Sequence, residues 1–129
     1  MQFEWRGEFT NAELNALHAE AFSHAALDLD WRQQVHAHSL GWVTSRDAET
    51  LVGFANVTWD GRTRAFLLDV MVATPRRRRG IGTQLVALAT IEARKAGCKW
   101  LHVDFDDARQ RFYFDACHFN RTCAGLIVL

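Results

Sequence analysis

The apolar positions along the 129 residues change period several times, and each change marks an element. Leu14, Leu17 and Ala21 recur at i, i+3 and i+7, the stripe of an amphipathic helix running to about Phe22. Its start is well specified: Thr10 as N-cap and Glu13 at N3 form a capping box, with Phe9 and Leu14 at the hydrophobic-staple positions. Trp31 and Val35 share one face of a second helix, Trp31 to His38, which Asp28 or Asp30 can cap. Strands are predicted at Gln2 to Arg6, Gly41 to Arg46 and Thr50 to Trp59, the last with a bulge at Gly53. Asp60-Gly61 reads as a two-residue hairpin leading into Arg62 to Val72. The core of that segment, Ala65 to Val72, is nearly all apolar, which predicts a central strand buried on both faces.

Beyond Gly82 the period becomes helical again, with Ile81, Leu85, Leu88 and Ala89 on one side as far as about Lys95 and Gly97 as the C′ residue. Lys99 to Phe105 is then strand-like, so a strand, helix, strand crossover sets two parallel neighbours at Val70 and Val103. Asp106 to Ala116 reads as a short helix, Phe119 to Thr122 as extended, and Gly125 to Leu129 as an apolar closing strand. Trp42, Trp59, Phe66 and Trp100 alternate along strands as core residues. The sum is an α+β fold over residues 1–129, a single domain by length.

Composition narrows the function classes. Fifteen basic and fifteen acidic residues leave no net charge, so no global field favours nucleic acid or an anionic membrane. No apolar run approaches the roughly 18 to 20 residues that span a bilayer. Cys98, Cys117 and Cys123 form no C-x-x-C pair, and no charged-then-apolar leader precedes Phe3, a pattern expected of a cytoplasmic protein. His24, His36 and His38 lack a clean i, i+4 pair with a carboxylate, so no metal is expected.

The chemistry concentrates in Val70 to Leu85, where an apolar strand enters a basic, glycine-bearing turn and then a helix. Backbone N–H groups at a helix start, arginine charge at Arg76 to Arg79, and the lack of side-chain bulk at Gly80 and Gly82 suit a diphosphate. Arg77-Arg78-Arg79-Gly80-Ile81-Gly82 lacks both the G-x-G-x-x-G order of dinucleotide folds and the Lys-Ser/Thr of P-loops.

This turn matches [R/Q]-x-x-G-x-[G/A], and Phe112-Tyr113 followed by Phe119 matches a late F-Y-x(n)-G-F segment. With the hairpin order before it and the strand after its helix, the chain resembles the GCN5-related N-acetyltransferases over nearly its whole length. The resemblance implies a mixed, mostly antiparallel twisted sheet with splayed parallel central strands, flanked by about four helices. It implies acetyl-coenzyme A as donor and an amine as acceptor. Arg77, Arg78, Arg79, Gly80, Ile81, Gly82 and Thr83 would hold the pyrophosphate, and the exposed backbone of Val70, Met71 and Val72 would pair with the pantetheine arm. A backbone N–H near Met71 or Val72 would serve the oxyanion, and Tyr113 would be the general acid facing the coenzyme sulfur. Two departures stand out: His118 replaces a usual glycine, and Asp106-Asp107 replaces an asparagine that contacts the pantetheine.

Candidates for the base are Asp69 on the central strand and Asp104 on its neighbour, with His102 on the same face as Asp104. Phe22 and Trp31 are acceptor-side candidates, and the identity of the amine is open. So is a homodimer through exposed aromatics or a C-terminal strand edge. Two rival readings stand beside the enzyme: a non-catalytic acyl-CoA-binding or sensing domain, and a nucleic-acid-binding module using the arginine run.

Overall fold

The capping box at Thr10 forms as its sequence dictates. In the computed structural model, which describes residues 1–129, the Thr10 hydroxyl accepts from the Glu13 N–H at 3.1 Å and Glu13 Oε2 accepts from the Thr10 N–H at 2.9 Å. They open helix α1 (Asn11–Ala21), and Arg46 adds a bidentate grip on the same Glu13 carboxylate at 3.0 and 2.9 Å. Helix α2 (Trp31–His38) is capped by Asp30, whose carboxylate accepts from the Gln33 N–H.

A five-stranded sheet runs in the order β1 (Gln2–Trp5), β2 (Ser39–Asp47), β3 (Thr50–Trp59), β4 (Arg64–Val72), β5 (Trp100–Val103). All neighbours are antiparallel except β4 and β5, which are parallel and joined through helix α3 (Ile81–Lys95). One face of the sheet packs on α3 through Val43, Val57, Leu67, Leu85 and Ala89. The other packs on α1 and α2 through Phe9, Leu14, Trp31, Trp42 and Phe54.

Strand β4 changes face partway along, and this irregularity shapes the site. Leu68 pairs with Asn56 and Met71 with Phe54, so β4 carries one residue more than β3 over this interval, a β-bulge at Asp69–Val70. Asp69 takes the left-handed conformation there, with φ 56°. Ala65 and Leu67 point to α3; past the bulge, Met71 points to α1 and α2 while Val70 and Val72 pack on the α3 side. An uninterrupted strand would have placed Met71 beside Leu67 by its two-residue period.

Several expectations are corrected by the fold. β4 is not buried on both faces: Phe66 is 40% and Leu68 43% exposed, because α1 and α2 leave that end of the sheet uncovered. Trp100 is exposed for the same reason and is not core, whereas Trp42 is. The loop between β3 and β4 is longer than two residues. Trp59 pairs with Ala65, and the Asp60 carboxylate organises the turn by accepting from the N–H groups of Arg62, Thr63 and Arg64. The β3 irregularity falls beside Gly53, at Val52; Gly53 itself admits α3, since a Cβ there would stand 2.8 Å from Ser45 Oγ and 3.1 Å from Leu85 Cδ1. Asp107–Arg109 is a 3-10 turn and Arg111–Ala116 a single π-helical turn, not one α-helix. Gly125–Leu129 forms no strand; Leu126 to Leu129 are exposed.

Candidate functional site

The ladder between β4 and β5 runs from Arg64 opposite Trp100 to Leu67 opposite Val103 and stops. Beyond it β4 continues to Val72 while the chain after β5 leaves the sheet, so the two parallel strands part. A cavity of about 500 Å³ begins there, walled by Val70, Met71 and Val72, the turn from Arg76 to Thr83 without Arg79, the C-terminal end of α1 at Ala21 and Phe22, and Tyr113 with Phe112.

At one end of this cavity is the start of α3. Gly80 is its N-cap in the left-handed conformation, φ 77°, and having no side chain it leaves the first-turn N–H groups uncapped. Gly80 serves the conformation alone, since a Cβ there would meet nothing within 4 Å. Gly82 serves close approach: a Cβ there would lie 3.0 Å from the Phe112 ring. Together, free donors, positive helix-end potential and bare backbone fit an anionic diphosphate.

The arginine run divides by role. Arg76 is ion-paired with Asp47 of β2. Arg77 Nη2 donates to the Ala21 carbonyl at 2.9 Å and its Nε to the Val72 carbonyl at 3.4 Å, tying the end of α1 to the end of β4. Both side chains still face the cavity, as does Arg78, while Arg79 lies outside its wall. No local sequence pattern announces these struts, because Ala21 is 56 residues from Arg77.

Tyr113, also in the cavity wall, is 6% exposed, stacked on Phe105 at 4.6 Å and edge-on to Phe119 at 5.8 Å. Burial, with the nearby Cys117 as a lesser cause, pushes its hydroxyl up to about 12. The phenol is therefore fully protonated at neutral pH and can act as a hydrogen-bond donor to an anion formed beside it. His118 completes the turn that sets this ring. It takes φ 65°, the conformation a glycine would occupy freely, and the Phe119 N–H donates to the Tyr113 carbonyl at 2.9 Å. Asp106 pairs with Arg109 at 2.6 Å and Asp107 accepts from the Gln110 side chain, so both carboxylates serve the local turn.

The proposed bases separate. Asp69 precedes the cavity-lining Val70 but is not itself part of the wall; it is half-buried, with Asn56 Nδ2 donating to its Oδ2 at 3.3 Å. Burial raises its carboxyl above the usual carboxylate range, against the opposing pull of Asn56 and His18. Asp104 lies just past the end of β5, exposed and outside the cavity wall, and His102 stacks on Phe66 at 4.7 Å on the uncovered sheet face. Of the acceptor-side aromatics, Phe22 lines the cavity, whereas Trp31 is buried in the α1–α2 core and donates its Nε1–H to Asn15.

Comparison with known proteins places this arrangement among relatives. The model of the acetyltransferase (GNAT) family matches residues 4–119. No protein of curated function is matched. Among solved structures, a putative acetyltransferase from Agrobacterium tumefaciens superimposes with a TM-score of 0.80 at 20% identity, covering 100% of this chain and 99% of that one. A probable acetyltransferase of unknown function from Staphylococcus aureus gives 0.80 at 16% identity, covering 99% and 98%. An aminoglycoside 6'-N-acetyltransferase from Acinetobacter haemolyticus gives 0.77 at 16%, covering 100% and 97%. At these identities the structural likeness is one of fold.

Proposed function

The chain belongs to the acetyltransferase (GNAT) family, and from that premise we propose that it is an acetyl-CoA-dependent N-acetyltransferase acting on a primary amine by direct attack in a ternary complex. The observation that carries this reading is the continuity of one cavity wall. It joins the uncapped start of α3, the open backbone of Val70 to Val72 and the buried Tyr113 in a single trough.

In this reading the N–H groups of Arg78 to Thr83 and the Arg78 side chain hold the coenzyme diphosphate, and Arg76 and Arg77 brace the trough. Arg79 adds long-range positive charge from outside the wall. Amide groups of the pantetheine arm pair with Val70, Met71 and Val72 where β5 has departed. A backbone N–H near Met71 or Val72 stabilises the oxyanion formed when the amine nitrogen bonds to the acetyl carbon, at no cost in reorganisation. The carbon–sulfur bond then breaks, Tyr113 gives its proton to the departing thiolate, and the proton that the attacking nitrogen loses as the amide forms restores the phenol. Asp69, half-buried beside the cavity-lining Val70, is the first candidate to take the ammonium's proton, and Asp104, exposed just past β5, is the second.

Two measurements test the reading. Acetyl-CoA is expected to raise the melting temperature in a concentration-dependent way, as any ligand bound to the native state alone must. Duplex DNA is expected to leave it unchanged. A screen of amine classes read by free-thiol release then separates enzyme from sensor: coenzyme binding without thiol release from any amine would make the protein a binding domain, and no binding at all would overturn the proposal.

A further inference from the structure

Two hydrogen bonds join the last turn of α1 to the turn that follows β4. Arg77 Nη2 donates to the Ala21 carbonyl at 2.9 Å, and the Thr74 N–H donates to Glu20 Oε1 at 2.7 Å. The α1 side of this contact is a helix end, whose last carbonyls have no partner within the helix. The His18 and Ala19 carbonyls accept from the N–H groups of Phe22 and His24, both at 3.0 Å, and the Ala21 carbonyl accepts from Arg77. A guanidinium there also suits the negative end of the helix dipole. The other side is anchored in the sheet. The Ala73 N–H donates to the Val52 carbonyl at 2.8 Å, and Thr74–Arg76 is a 3-10 turn closed by the Arg77 N–H on the Thr74 carbonyl at 3.3 Å.

These contacts sit between the two regions of the trough. Ala21 and Phe22 line it from α1, Val72 lines it from β4, and Arg77 lines it from the turn that leads to Gly80. An arginine carries five N–H donors in a planar fork. In Arg77, Nη2 serves Ala21 and Nε serves Val72 at 3.4 Å, which leaves the N–H groups of Nη1 without a protein acceptor. The guanidinium can therefore hold the α1 carbonyl and a phosphate oxygen at once. Phe22 directly follows the tethered Ala21, and the chain then turns away at Ser23, whose φ is 55°. Whatever fixes the Ala21 carbonyl fixes the start of the Phe22 side chain.

We propose that Arg77, with Glu20 as a second tie, couples coenzyme binding to the Phe22 wall of the trough. This rests on the acetyltransferase reading, in which the turn after Arg77 holds the coenzyme diphosphate and Phe22 faces the amine. In the free protein the guanidinium is held by backbone carbonyls alone. A phosphate oxygen that accepts from Nη1 holds it from the other side, and the end of α1 is then kept in one position against β4. An amine arriving after the coenzyme meets a wall already ordered and has less ordering to impose. Linkage makes the effect mutual, so an amine bound against Phe22 tightens coenzyme binding by the same factor. Arg77 acts through Phe22 and is a positioning residue.

The test is hydrogen exchange at the Phe22 and His24 amides, read with coenzyme A, which has no acetyl group to transfer. Saturating coenzyme A is expected to slow both amides about fivefold in wild type, the lower end of typical coupling. In Arg77→Met, also at saturating coenzyme A, the slowing is expected to vanish. Glu20 lies outside the trough wall, so Glu20→Ala is expected to bind coenzyme A as wild type does while both amides exchange severalfold faster in the free protein. Wild-type exchange in Glu20→Ala overturns the second tie. Slowing that survives in Arg77→Met overturns the proposal, because the coenzyme would then cover the wall directly. With any amine that wild type acetylates, Arg77→Met is expected to raise the amine KM about fivefold with kcat near wild type, and a change in kcat alone overturns the positioning role. Failure to bind coenzyme A overturns the acetyltransferase reading and this proposal together, whereas binding that leaves the α1 amides unmoved overturns this proposal alone.

Discussion

The two ends of the trough are built from different materials. The end proposed to hold a diphosphate is made of consecutive residues, Arg76 to Thr83, whose useful groups are backbone N–H donors and two glycines with separate duties. The rest of the trough is drawn from distant places: Ala21 and Phe22 where α1 ends, Val70 to Val72 on β4, and Phe112 and Tyr113 on the π-helical turn. A backbone site is tied to local chain geometry and can change its outer side chains without losing its ligand. A side-chain site depends on three elements packing correctly, and small changes in those elements alter what it recognises. In the acetyltransferase reading proposed above, the first region holds the constant donor and the second receives the acceptor.

The comparison can be broken most sharply at Gly82. Replacing it by Trp places a bulky group where a Cβ would already stand 3.0 Å from the Phe112 ring. We expect acetyl-CoA affinity, measured by calorimetry, to fall on the order of 100-fold, about 2.7 kcal/mol. Unchanged coenzyme affinity would remove the cradle assignment.

Tyr113→Phe probes the point where the two ends meet. Its aromatic packing on Phe105, Phe112 and Phe119 is retained and only the buried hydroxyl goes. A drop in kcat on the order of tenfold to 100-fold with coenzyme affinity intact is expected of a lost general acid. A wild-type rate would assign the hydroxyl no part in the reaction.

The smallest effect is expected at His118, which holds φ 65° without being glycine. His118→Gly removes a conformational penalty of about 1 kcal/mol but adds freedom to the unfolded chain, so the net gain is below that figure. A melting temperature raised by a few degrees with kcat unchanged would fit. A loss of stability would mean that the His118 ring itself supports the turn under Tyr113.

Much of this protein is written in short stretches of sequence. The capping box at Thr10 and Glu13, the Asp30 cap, the period change after Gly82 and the parallel crossover to β5 all depend on interactions within a few residues of each other or on a single helical or strand period. The diphosphate cradle is legible for the same reason, since its donors are consecutive.

What only the tertiary structure decided involves groups far apart or out of period. The bulge at Asp69–Val70 reverses which side chains face which layer, a consequence of pairing with β3 that no apolar run within β4 reveals. The exposure of Phe66, Leu68 and Trp100 follows from where α1 and α2 end, not from the residues themselves. Arg77 finds the Ala21 carbonyl across 56 residues. Local geometry makes the turn at the start of α3 predictable from its own residues; the rest of the trough exists only once three separate elements have closed around it.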